Sequence, residues 1–192
     1  KIALVSPRST FMSRLPEFRQ FFEQAATIST YRKNWSGLSS ALLVLGALTP
    51  PGHEVRVIDE NLEEIDLDAA WDLVGITLMT HQATRAYEIA DAFRARGVPV
   101  VLGGLHATVL PEEAKGHADA VVIGEAETTW PRLVADAERG ALAPFYSEPA
   151  GESFALERSP MPRYELIAGK PYRRVWVQTT RGCPHDCEFC AA

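Results

Sequence analysis

Short, nearly continuous apolar runs that alternate with longer stretches of helical character constrain this chain more than any other feature. The runs are residues 2–6, Glu54–Asp59, Leu73–Leu78, Val98–Leu102 and Ala120–Ile123. Strands that are apolar at successive positions are buried on both faces, as in a parallel sheet; a sheet with one wet face alternates instead. Pro99 fits only near the start of its strand, because a proline within a central strand removes a ladder hydrogen bond. Between the runs lie Leu38–Leu48, stopped by Pro50-Pro51-Gly52, and Ala83–Arg96, with Ala83, Tyr87, Ala90 and Phe93 (or Ile89) on one stripe before Gly97. Pro111–Lys115 and Trp130–Arg139 supply two further helices, the second closed by Gly140. Repeated β-then-α units imply right-handed crossovers, so the chain is expected to form an α/β fold around an open, doubly wound parallel sheet of order 2-1-3-4-5.

A chain of 192 residues has room for one such Rossmann- or flavodoxin-like domain and the start of another. With 46% hydrophobic and 23% charged residues it is not a disordered or low-complexity chain. A net charge of −6 without any Lys/Arg-rich block argues against nucleic acid or an anionic membrane as partner. No apolar run reaches the roughly 18 residues of a membrane span, and Lys1-Ile2-Ala3-Leu4-Val5 before Ser6-Pro7 reads as a strand, not a signal peptide. A cytoplasmic location is expected. Residues 7–37 exceed the roughly 2–6 residues of a βα loop, which implies a helical insertion around Leu15–Ala26 or a functional loop. From Pro144 to Pro171 five prolines interrupt any periodicity, as in an extended linker. The expected division is an α/β domain over 1–143, a linker over 144–172, and the start of a second domain over 173–192, opening with the alternating strand Arg174–Thr180.

That second domain carries all three cysteines, in Gly182-Cys183-Pro184-His185-Asp186-Cys187-Glu188-Phe189-Cys190. An odd, tight group suits metal ligation in a reducing compartment better than a disulfide framework. Three soft thiolates from one loop suit zinc or an iron–sulfur cluster, but structural zinc wants four protein ligands, and His185 would have to fold back on its neighbours to be the fourth. A four-iron cluster held by Cys183, Cys187 and Cys190, with one iron open, fits better. The C-x₃-C-x₂-C spacing, the preceding strand and glycine, and the aromatic residue before the last cysteine resemble the cluster loop of radical S-adenosylmethionine enzymes. The resemblance implies a 4Fe-4S cluster whose open iron binds S-adenosylmethionine and cleaves it to a 5′-deoxyadenosyl radical. It also implies that Phe189 packs beside the adenine, and that an external flavodoxin- or ferredoxin-type donor supplies the electron. That family needs a β/α barrel beyond this loop, so the 192 residues alone are expected to be inactive.

The first 140 residues carry an ordered set of loops after their strands: Gly52-His53-Glu54-Val55, Val74-Gly75-Ile76-Thr77, Gly103-Gly104-Leu105-His106-Ala107-Thr108 and Gly124-Glu125-Ala126-Glu127. Together they resemble the N-terminal cobalamin-binding domain of a large subclass of radical S-adenosylmethionine enzymes, although Ala126 stands where that pattern often has glycine. Ligands of open α/β sheets lie beyond the carboxyl ends of the strands, where these loops fall. Gly103 and Gly104 leave room for a nucleotide tail, Thr77 and Thr80 offer hydroxyls, and the amides opening the Ala83 helix favour a phosphate. The residues expected at the cofactor are therefore Thr77, Leu78, Thr80, Gly103, Gly104, His106, Gly124 and Glu125, with Phe189 on the cluster side.

Plainer roles stand beside these. A glycine pair after a strand also makes an ordinary tight turn, Thr80 suits a helix N-cap, and Glu125 and Glu127 suit the first turn of a helix. His81 and His106 read as polar loop residues rather than cobalt ligands, and no D-x-H-x-x-G motif follows the first strand. The resemblance implies a cobalamin-dependent enzyme that methylates an unactivated carbon or performs a radical cyclisation or oxidation on a small-molecule substrate. Methylthiotransferases carry extra cysteines that this chain lacks before Cys183. A non-catalytic corrinoid-binding module and a zinc-stabilised interaction domain are the alternatives.

Overall fold

The structure is a computed structural model that describes residues 1–8, 38–148, 154–172, 174–185, 187 and 188. The insertion expected around Leu15–Ala26, together with Phe189 and Cys190, lies outside them. Strands β1 (Ile2–Ser6), β2 (Val55–Asp59), β3 (Leu73–Thr77), β4 (Val100–Gly103), β5 (Ala120–Ile123) and β6 (Phe145–Ser147) form a six-stranded sheet of order β2-β1-β3-β4-β5-β6. Every neighbouring pair is parallel. The doubly wound order expected from the apolar runs is present, and β4 begins at Val100, immediately past Pro99.

Among the described residues the helices are α1 (Ser40–Leu48), α2 (Ala83–Arg94), α3 (Leu105–Val109), α4 (Pro111–His117) and α5 (Thr129–Glu138). They cover both faces of the sheet. Ala3, Val5, Val74 and Ile76 point to the face that buries Ile89, Phe93 and Ala114 of α2 and α4. Ile2, Leu4 and Leu73 point to the other, against Leu42 and Leu43 of α1 and Trp130, Leu133 and Val134 of α5. The period-two alternation of strand side chains thus places apolar residues in two cores, which is why these strands are apolar throughout. Trp130 lies on the middle of the sheet because β3 has a glycine there. A Cβ on Gly75 would sit 3.3 Å from the indole and 3.2 Å from Leu4. The indole N–H is satisfied by Thr49 Oγ1 at 3.0 Å.

The described parts of the segment expected to be a linker are held to the domain by individual side chains. Phe145–Ser147 pairs with β5, Tyr146 is buried, and its hydroxyl donates to Asp136 at 2.8 Å while accepting the Ala143 amide at 3.0 Å. The limit expected at residue 143 falls one strand short of the sheet's edge. Beyond it, Tyr164, Leu166, Ile167 and Tyr172 pack on the α1–α5 core, with Leu166 lying on Gly46 of α1. Tyr172 donates to the buried Asp59 at 2.8 Å, and Lys170 reaches the Val57 carbonyl at 2.9 Å and pairs with Glu63. Burial and the Asp59 carboxylate push the Tyr172 phenol well above its usual pKa. Prolines broke the periodicity of this stretch, but single aromatic and aliphatic anchors suffice to hold an irregular segment against a core.

Arg174–Thr180 corrects the expectation of a strand. It forms none, and Val175, Trp176 and Val177 are exposed. An alternating sequence becomes a strand only where a neighbouring strand accepts its hydrogen bonds, and among the described residues none lies beside it.

Candidate cofactor site at the carboxyl edge of the sheet

The carboxyl ends of β3, β4 and β5 lead into three loops that the backbone ties together. The Leu78 amide donates to Gly103 O at 3.0 Å, and the His106 amide donates to Leu78 O at 3.2 Å. Thr108 completes the tie: its hydroxyl donates to Gly104 O at 3.0 Å and accepts the Gly124 amide at 2.9 Å. The sequence alone assigns Thr108 no role. A hydroxyl three residues into a helix has partners that only the fold can supply.

Gly104 has φ +95, and a Cβ there would lie 2.8 Å from Thr77 Oγ1 and 3.0 Å from both Leu78 N and Leu78 O. Its smallness lets the β4 loop press against the β3 loop, so the space it saves is filled by protein. Gly103 is different: a Cβ would meet Val122 at an ordinary 3.6 Å. At Gly124, φ +77, a Cβ would have no heavy atom within 4 Å, so this backbone faces open space at the edge. Leu78 is buried with both backbone groups engaged in the tie, whereas Thr77 is half-buried and Thr80 exposed.

A short turn over Thr80–Gln82 precedes α2 and uses the amides of Gln82 and Ala83 on Met79 O and Thr80 O. The N-cap of α2 is Gln82, not Thr80, and those two amides are already engaged. The Gln82 side chain accepts the Met79 amide at 3.0 Å and donates to the Pro7 carbonyl, which binds this turn to the end of β1.

His106 is neither a loop residue nor exposed. It sits in α3 with 5% of its surface accessible; Nδ1 lies 3.3 Å from Thr80 Oγ1, and Nε2 lies 3.1 Å from the Tyr87 hydroxyl and 3.3 Å from Glu113. Both ring nitrogens are thus occupied by protein groups, and the side chain links α3 to α2 and α4. Tyr87 stacks on His117 with centroids 4.2 Å apart. Burial, then the hydrogen bond to Glu113, pushes the Tyr87 phenol up; Tyr87 and His106 together hold the Glu113 carboxyl below its usual range.

Apolar side chains at this edge were missed by the sequence reading. Met79, Leu105, Val109 and Leu110 are exposed by 45%, 37%, 56% and 43%, and all four follow β3 or β4. They are too few and too scattered along the chain to mark a period, and only the fold leaves them exposed. A cleft of about 410 Å³ beyond β1 and β2 is unlike them, being lined by Arg8, Glu60, Glu63 and Arg85. The Glu60 side chain there is largely covered and already held by Arg85 at 2.6 Å.

Cys183 and Cys187 are exposed thiols, reached through Gly182 at φ +77. The segment before them is fastened to the β5 loop: Arg181 lies 3.3 Å from Glu125 and 2.5 Å from Glu127. Those glutamates precede α5 rather than opening it. Burial works against the Arg181 charge, yet the two carboxylates hold its pKa above the usual value.

The profile of the B12 binding domain matches residues 38–134, which run from α1 into α5 and include all three tied loops. The chain belongs to the B12 binding domain family. Among known relatives, the B12-binding chain is 43% identical over 159 residues to bacteriochlorophyllide d C-8(2)-methyltransferase of Chlorobaculum tepidum, covering 78% of this chain and 35% of that one. It is 31% identical to bacteriochlorophyllide d C-12(1)-methyltransferase of the same organism, covering 78% and 34%. It is 30% identical to hopanoid C-2 methylase of Rhodopseudomonas palustris, covering 78% and 29%. The chain thus spans about a third of the length of these relatives. No solved structure matches it. Among the described residues no helix is long and apolar enough to cross a membrane.

The tied loops suit a corrinoid. The apolar face of a broad macrocycle can lie on exposed side chains such as Met79, Leu105, Val109 and Leu110, while the bare backbone at Gly124 permits close approach. The exposed thiols Cys183 and Cys187 are soft donors suited to iron.

Proposed function

We propose that the B12-binding domain and the cysteine loop together form the cofactor-bearing part of a cobalamin-dependent radical S-adenosylmethionine methyltransferase. The exposed apolar rim over the ends of β3 and β4 carries the reading, because the relatives named as methyltransferases share the domain that bears it. When bound, the corrinoid supplies a methyl group, and the cluster with S-adenosylmethionine supplies the radical that removes a substrate hydrogen. The protein's own part is to hold these groups and exclude water. Met79, Leu105, Val109 and Leu110 cover the macrocycle, Thr77 and Thr80 offer hydroxyls to its tail, and Cys183, Cys187 and Cys190 ligate a 4Fe-4S cluster with Phe189 beside the adenine. Cobalt receives no histidine from His106, whose nitrogens are engaged. The substrate class is a hydrophobic metabolite methylated at an unactivated carbon, with a flavodoxin- or ferredoxin-type electron donor.

Anaerobic reconstitution with iron, sulfide and hydroxocobalamin tests both halves. The expected product holds one corrinoid and about four irons, bleaches in air at the cluster bands, and keeps its corrinoid spectrum. Stoichiometric zinc without iron uptake would remove the radical reading and leave a zinc-stabilised corrinoid module. A protein that binds no corrinoid would remove the cobalamin reading.

A further inference from the structure

Arg181 stands two residues before Cys183 and reaches back to the loop after β5. One guanidinium nitrogen lies 3.3 Å from Glu125; the other donates to Glu127 at 2.5 Å and to Gln178 at 3.2 Å. Glu127 is only 7% accessible, and a carboxylate that deep is tolerated when a cation meets it. The second oxygen of Glu125 accepts the Phe154 amide at 2.7 Å, so Glu125 also holds the start of the 154–172 segment. Among the described residues, 174–180 are exposed and unpaired as a strand, and Tyr164 Oη meets Trp176 O at 3.5 Å.

We infer that Arg181 is a positioning residue, whose planar fork clamps the cysteine loop to the β5 loop and thereby sets the distance between the thiolates and the carboxyl edge of the sheet. Two carboxylates two residues apart suit a rigid fork; a lysine's single ammonium satisfies one of them well and the other poorly. Cofactors that exchange electrons or groups need a fixed separation, and this contact fixes it at the point where the loop would otherwise be free to swing. The inference rests on the proposed function for what the two loops carry, but the contact itself does not.

The test uses the full chain and two variants. Arg181→Gln combined with Glu127→Gln removes both charges together and leaves none buried alone; Arg181→Lys keeps the charge and loses the fork. Cleavage after Trp176 by chymotrypsin under native conditions, measured without cofactors, is expected to speed up at least tenfold in the paired variant and less in Arg181→Lys, with hydrogen exchange of β1, β3 and β4 unchanged. In reconstituted protein reduced to cob(II)alamin, the broadening of its paramagnetic resonance by the reduced cluster is expected to change in the paired variant at equal corrinoid and iron content. Unchanged cleavage, or unchanged broadening, overturns the clamp. Should the paired variant fail to fold, Arg181→Lys decides alone on the same cleavage criterion. A parent protein that takes up no corrinoid or no iron defeats the functional reading, while the cleavage rate still decides the contact.

Discussion

Two apolar segments of similar composition have opposite fates in this molecule. Ala120–Ile123 lies between β4 and β6, with Ala120, Val121 and Val122 buried. Val175-Trp176-Val177 is just as apolar, yet it forms no strand, and Val177 is 72% exposed. Periodicity says which faces a segment could bury; the partner strands decide whether it buries them. The stretch between the two is the informative case. Residues 144–172 lack periodicity but are held by Tyr146, Leu166 and Tyr172.

That contrast is broken or sharpened most strongly by truncation. Ending the chain at residue 143 removes β6 and the anchors on α1 and β2, while ending it at residue 172 keeps them. Burial of one large side chain is worth about 1.5–3 kcal/mol, and Tyr146 and Leu166 are two of several lost. The 1–143 form is expected to be at least about 3 kcal/mol less stable than the 1–172 form, read as a lower urea midpoint. Equal midpoints would show that the 144–172 stretch is the loose linker its prolines suggested.

The next largest effect separates two glycines that look alike in the sequence. Gly104→Val forces a side chain into Thr77 and Leu78 at positive φ, and is expected to destabilise the fold by about 2–4 kcal/mol before any cofactor is considered. Gly124→Val also bears positive-φ strain, of about 1–2 kcal/mol, but its Cβ enters open space. The Gly124 variant should therefore stay folded and lose affinity for hydroxocobalamin at least tenfold by titration. If Gly104→Val keeps the parent's melting temperature, or Gly124→Val binds like the parent, the division of labour between these loops is wrong.

What could be read in advance follows from the same physics. The sheet order was legible because buried parallel strands announce themselves as continuous apolar runs, and the loops at its edge because glycines and hydroxyls follow each run. Side-chain partners were not. Nothing local to His106 says that Thr80, Tyr87 and Glu113 will enclose it, nor does Thr108 signal its bridge to Gly124. Helix α3 is five residues long, too short to show a period, so His106 read as a loop residue. The exposure of Met79, Leu105, Val109 and Leu110 was invisible because apolar residues in and beside so short a helix read equally well as core. The spacing of the cysteines was plain, but the Arg181 contact that holds their loop joins residues more than fifty positions apart.

The smallest expected effect probes how the 154–172 segment is fastened at its far end, through Lys170 and Glu63. Glu63 pairs with Lys170 and lies 2.9 Å from Arg56. Its partial burial works to raise its pKa, but the hydrogen bonds from Lys170 and Arg56 outweigh that and hold it below 4.5. A carboxyl whose folded pKa is depressed contributes stability that is present above its unfolded value and is lost as pH falls through the folded one. The contribution should therefore be complete near pH 6 and decline once pH drops below 4.5. Because both side chains keep some contact with water, screening limits it to about 0.5–1 kcal/mol. Glu63→Gln should be less stable than the parent by that amount at pH 6, and the gap should close toward pH 3, as the urea midpoints of the two proteins converge. Other carboxyls of the chain titrate in both proteins and cancel in the difference. A gap that stays constant across this range would mean that Glu63 acts through packing alone, and that the fastening of the segment depends on Tyr172 and Leu166 rather than on charge.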